Sequence, residues 1–79
     1  MSAGWSGVYW LVMTDFGPAG IGAPDPAATW DDALDQLAVA ADEDRPARVF
    51  RLDLDASAIT EVTAEAQLGL QDRVAGRAA

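Results

Sequence analysis

"TWDDALDQLAVAADEDRPARVFRLDLD", residues 29–55, carries two hydrophobic periods in succession, and the change between them decides the fold. At about 100° per residue, Trp30, Ala33, Leu34, Leu37, Ala38 and Ala41 gather on one face of a helix. Thr29 stands at the N-cap, Asp32 is placed as the acid of a capping box, and Asp31 and Asp32 sit on the positive end of the helix dipole. Pro46 disfavours helical geometry at Arg45, so the helix is expected to end near Asp44. Beyond it the period falls to two. In "ARVFRLDLD" (47–55), Phe50, Leu52 and Leu54 alternate with Val49, Arg51, Asp53 and Asp55, which predicts a half-buried strand with the first set facing the core.

Upstream, "GVYWLVMTDF" (7–16) is dense in β-branched and aromatic residues and reads as a strand. Both of its faces are apolar, Val8, Trp10 and Val12 on one and Tyr9, Leu11 and Met13 on the other. Such a strand is central, or its outer face is covered by something else. "DFGPAGIGAPDPA" (15–27) has the glycines and prolines of a loop, with room for a short strand around residues 19–23 that Pro24 would end. Downstream, "DASA" (55–58) is a turn and "ITEV" (59–62) a returning strand. Pairing Leu54 with Ile59 would turn Glu61 to the core, and pairing Leu52 with Val62 would return it to solvent, so the offset predicts a bulge. Thr63 is then expected to cap a second helix with Ala66, Leu70 and Val74 as its inner stripe, weakened at Gly69 and ended at Gly76. The expected fold is a single α+β domain over residues 1–79: a small antiparallel sheet of three or four strands, order β(β)αββα, with two helices packed on one face.

Composition bounds what such a domain does. Thirteen Asp and Glu against five Arg leave a net charge of −8, with no Lys, His or Cys. A chain so charged repels nucleic-acid phosphates and anionic membrane surfaces, and attracts basic partners. No stretch approaches the ~20 apolar residues of a membrane span, and the start "MSAGWSG" lacks the basic flank of a secretory signal, so an intracellular, cytoplasmic location is expected.

Catalytic parts are few. Without His, Cys or Lys the usual bases, thiolates and Schiff-base amines are missing, and a domain this small has little depth for a carboxylate-lined pocket; the expectation is a non-enzyme without cofactor. "DLDAS" (53–57) opens like a calcium loop, but Ala58 and Ala64 stand at the sixth and twelfth positions, where Gly and a bidentate acid are needed. "DED" (42–44) diverges by ~100° per residue on a helix, a poor ligand geometry. No metal site is expected. Trp10 and Trp30 fit the core pattern, while Trp5 in "AGWSG" suits either a core cap or an exposed anchor.

The acids of "WDDALDQLAVAADED" (30–44) carry the functional reading. With Trp30 at zero, Asp31, Asp35 and Asp42 fall at about 100°, 140° and 120°, and Asp32 and Glu43 at about 200° and 220°. Val39 lies amid them at about 180°, where solubility alone would place a polar residue. The helix contains no cation for an i,i+4 pair, and Asp42, Glu43 and Asp44 crowd the end where the dipole disfavours negative charge. Arg45, Arg48 and Arg51 are the cations placed to fold back and offset them. An acidic surface around an apolar residue suits docking on a Lys/Arg-rich patch, with carboxylates standing where phosphates would lie; Asp31, Asp32, Asp35, Val39, Asp42 and Glu43 are the candidate partner-binding residues.

In its length, its cation-free helix "TWDDALDQLAVAADED" and its hairpin "RVFRLDLDASAITEVTAE" running into a terminal helix, the chain resembles the small acidic phage-encoded anti-CRISPR proteins, in particular inhibitors of the type I-C Cascade complex. The resemblance implies a non-enzymatic inhibitor that binds basic residues of the Cascade backbone or large subunit and keeps target DNA from being engaged. It is one of profile, so it transfers no residue roles. The competing expectations are a phage-type accessory or structural module, monomeric or a homodimer burying Tyr9, Met13 or Val39, whose charge serves solubility only, and a transcription-associated regulator such as an anti-repressor.

Overall fold

The computed structural model describes residues 6–78. Strand β1 (Val8–Asp15) is followed by a 3-10 turn at Gly17–Ala19, strand β2 (Ile21–Gly22), helix α1 (Trp30–Asp42), strands β3 (Ala47–Asp53) and β4 (Ala58–Glu61), and helix α2 (Thr63–Ala78). The strands form one antiparallel sheet in the order β2-β1-β3-β4. This is the expected α+β architecture, with the short second strand present. Beyond β2 the outer edge of β1 is closed by the loop, where the Trp10 and Ala27 backbones exchange hydrogen bonds of 2.9 and 2.7 Å.

Both helices lie on one face of the sheet. Val12, Ala27, Ala33, Leu34, Leu37, Val49 and Ala66 form the buried cluster, with Trp10, Trp30, Ala47, Val62 and Leu70 packed around it. Trp10 and Trp30 meet edge to face at 5.9 Å between ring centroids. Trp5 lies outside the described residues. In α1 the buried stripe is Ala33, Leu34, Leu37 and Ala40; Ala41 is exposed. The Thr29 hydroxyl accepts the Asp32 N–H at 3.1 Å, the expected N-cap.

The β3 parity runs opposite to expectation. Val49 pairs with Val12 and is fully buried beneath the helices, whereas Phe50 and Leu52 pair with Leu11 and Tyr9 on the other face. Alternation marks two faces of a strand but does not say which one the helices take. Of the β3 residues on the helix side, Ala47 and Val49 join the core cluster, while Arg51 is exposed and Asp53 half-buried. The hairpin also lacks the expected bulge: Phe50↔Glu61, Arg51↔Thr60, Leu52↔Ile59 and Asp53↔Ala58 are in unbroken register. A four-residue turn, 54–57, absorbs the offset, with Ser57 at a φ of 53° and the Asp53 carboxylate accepting the Ala56 N–H. Glu61 therefore stands on the face away from the helices.

Helix α2 departs from expectation at three points. The Thr63 hydroxyl accepts the Val49 N–H at 2.9 Å and donates to Glu61 at 2.8 Å, so it ties the helix to β3 instead of capping it. The inner stripe is Ala66, Gly69, Leu70 and Arg73, while Val74 is exposed. The helix also runs through Gly76 to Ala78. At Gly69 the two helices lie close: a Cβ there would lie 3.3 Å from Leu34 Cδ1 and 3.5 Å from Trp30 Nε1.

Candidate acidic docking site

The outer face of α1 presents its acids as the helical spacing predicts, but two of them are not free. Arg73 reaches across from α2 and donates from Nη1 to Asp35 Oδ1 at 2.7 Å, and from Nη2 to the Asp31 carbonyl at 3.1 Å and Asp31 Oδ1 at 3.4 Å. These charge-assisted bonds, that to Asp35 foremost, hold the Arg73 guanidinium above its ordinary pKa. The cation missing from the helix is thus supplied by its neighbour. The sequence signal was available: Arg73 follows Ala66 by seven residues, about 20° from it on a helical wheel, whereas Val74 lies about 80° away.

The C-terminal acids have separate explanations. Asp44 adopts a left-handed φ of 55°, its N–H bonding to the Ala41 carbonyl at 3.0 Å while Arg45 N–H bonds to the Ala40 carbonyl at 2.9 Å. That is a complete Schellman closure, with Asp in the position usually held by Gly. Glu43 pairs with Arg45 at 3.2 Å, and the Arg45 guanidinium lies 4.9 Å above the Phe16 ring. Arg48 and Arg51 do not serve α1: Arg48 pairs with Glu61, and Arg51 lies 3.9 Å from Asp53.

Among the described residues, Asp32, Asp42 and Asp44 have no cation within 4 Å. Six carboxylates from Asp31 to Asp44 face two arginines, so the stretch keeps a local charge of −4.

Val39, 57% exposed, is not an isolated apolar residue within this arc. It forms one wall of a groove of about 550 Å³ whose opposite side is Phe16, Gly22 and Pro24 and whose acidic lip is Glu43. Gln36 fixes that geometry, its Nε2 donating to the Asp25 carbonyl at 3.2 Å, while its Oε1 is buried without a partner among the described residues. Phe16, Pro24 and Gln36 were not candidates from sequence, because a loop folding back beside a helix leaves no periodic trace. Asp15 is exposed on the sheet face away from the helices and accepts the Gly17 N–H at 2.8 Å. The arrangement thus offers carboxylates along one side and an apolar slot beside them.

Asp53, Asp55 and Ser57 of the calcium-like stretch belong to the hairpin and its turn, where Asp55 accepts the Gly7 N–H at 3.2 Å. No cluster of three acids able to hold a metal occurs among the described residues, and none of their helices is long and apolar enough to cross a membrane. Comparison with protein-family models, with curated proteins and with solved structures gave no match.

Proposed function

We propose that this protein is an acidic docking protein that inhibits a basic, nucleic-acid-handling complex by occupying its Lys/Arg-rich surface through α1. The observation that carries the reading is the adjacency of a local charge of −4 to the open Val39–Phe16 groove. Opposite charge accelerates encounter and selects the partner, and the apolar slot accepts a side chain whose desolvation slows release. In keeping with its resemblance to small anti-CRISPR proteins, the target proposed is a type I-C Cascade complex, with the carboxylates taking the place of DNA phosphates. The partners are then basic protein surfaces, and the protein performs no chemistry of its own.

The test uses purified Cascade, target DNA and variants at the unpaired acids. Wild type is expected to bind the complex and to displace DNA, with affinity falling as salt rises. Asp32→Arg with Asp42→Arg should slow association at low salt by tenfold or more, and Val39→Ser should speed dissociation. Wild type that leaves purified Cascade and its DNA binding untouched would remove the named target; charge-reversed protein that binds with unchanged salt dependence would remove the electrostatic mechanism.

A further inference from the structure

The sheet has a second apolar face that no described residue covers. Tyr9, Leu11, Met13, Phe50, Leu52 and Ile59 share it, by the strand register, on the side away from both helices. The buried core opposite is modest: four of its eight apolar residues are alanines. Apart from Trp10 and Trp30, which pack at the rim of that core, most of the sheet's large apolar side chains thus stand on the uncovered side, in a molecule about 17 Å through its thinnest dimension.

From this face we infer that the protein pairs with a second copy of itself, sheet against sheet, independently of the docking reading above. Three features select a second copy as the occupant. The first is charge. Glu61, a carboxylate on the edge strand β4, is already matched by Arg48 on β3, with bonds of 3.0 and 2.7 Å. With Asp15 the one carboxylate of the face that no described cation pairs, the surface carries a small part of the chain's net charge of −8, and a basic partner finds far less to bind there than on α1. The second is area. Strands of 8, 2, 7 and 4 residues, at about 3.3 Å per residue and 4.8 Å apart, make a plane of roughly 330 Å², so two copies cover roughly 700 Å², the size of a weak, concentration-dependent contact.

The third is shape. Ile59 on β4, 72% exposed, projects at the corner where β3 leads into the hairpin turn. At the diagonal corner lies a hollow of about 420 Å³ whose lining includes Met13, Ile21, Pro46 and Phe50, with Asp15 and Arg48 as its charged members. A two-fold axis lying in the interface at right angles to that diagonal seats each copy's Ile59 in the other's hollow, the self-complementarity an isologous contact requires. The acidic α1 helices then face outward on opposite sides, separated by more than the ~8 Å Debye length at physiological salt, so the high net charge does not oppose pairing.

Sedimentation equilibrium or light scattering across 5–500 µM tests the inference. Wild type is expected to approach twice the monomer mass. Ile59→Glu and Ile21→Glu, both at exposed positions, should each weaken dimerisation at least tenfold, while Leu68→Glu, exposed on α2, should leave it unchanged; circular dichroism confirms that each variant folds. A wild-type protein monomeric at 500 µM would overturn the inference. So would a folded Ile59→Glu variant that dimerises as wild type does, which would place the contact elsewhere.

Discussion

Arg73 on α2 and Asp35 on α1, thirty-eight residues apart in sequence, are joined at 2.7 Å, and the same guanidinium bonds Asp31 one turn back along α1. One cation thereby fixes the roll of the two helices and withdraws two carboxylates from the acidic surface. It also separates the structural from the available acids. Asp31 and Asp35 are tied to α2, whereas Asp32 and Asp42 have no cation within 4 Å among the described residues and are the acids the proposed docking would use.

Replacing Arg73 by Met keeps much of the stem and removes the clamp. Thermal melts in 50 mM and 1 M NaCl should show a loss of stability at low salt that shrinks at high salt, because the bonds removed are solvent-screened ion pairs. The same variant frees Asp31 and Asp35 and should bind a basic partner faster than wild type. An equal loss at both salts would show that Arg73 acts through packing alone.

Asp44→Gly should stabilise. Glycine takes the left-handed φ of 55° without a Cβ penalty, and the change removes a negative charge from the helix end that disfavours it. The expected gain is about 0.5–1 kcal/mol, read as a rise of several degrees in Tm for a domain of this size. A lower Tm would mean that the Asp44 side chain contributes more than the turn geometry accounts for.

Alanine at the two α2 glycines should act differently. At Gly76 a Cβ meets no atom within 4 Å, so helix propensity alone applies and stability rises by a fraction of the ~1 kcal/mol between Gly and Ala. At Gly69 the Cβ would press on Leu34 at 3.3 Å, and that contact offsets the propensity gain. Urea titration should rank Gly76→Ala above Gly69→Ala; the reverse order would contradict the close approach of the helices.

The acid limb of the stability profile should carry the signature of Glu61. Hydrogen bonds from Arg48 and then Thr63 lower its carboxyl from 4.5 to about 2, against a smaller opposing effect of burial. A carboxyl depressed in the folded state contributes fully above its unfolded value and loses that contribution as pH falls from about 4.5 through 2. Urea midpoints for wild type and Glu61→Gln should therefore differ most at pH 6 and converge towards pH 2. A difference independent of pH would place the effect of the substitution outside this ion pair.

The elements were legible because each rests on neighbours in sequence. Thr29 caps α1 through a bond three residues long, Pro46 separates helix from strand, a run of β-branched and aromatic residues marks β1, and the helical apolar period marks α1. The order of strands and helices, and with it the fold class, follows from those local signals. The line of acids on α1 was equally readable, since helical spacing is local geometry.

What tertiary structure decided is which surfaces meet. Alternation in "RVFRLDLD" separates two faces of a strand, but Val49 rather than Phe50 became core because the helices packed on Val49's side. The acidic helix reads as cation-free, yet Arg73 arrives from the far end of the chain to pair two of its aspartates. Phe16 and Pro24 face Val39 across a groove for the same reason. Periodicity assigns a residue to a face of its own element; only the three-dimensional packing, set by contacts distant in sequence, assigns that face a neighbour.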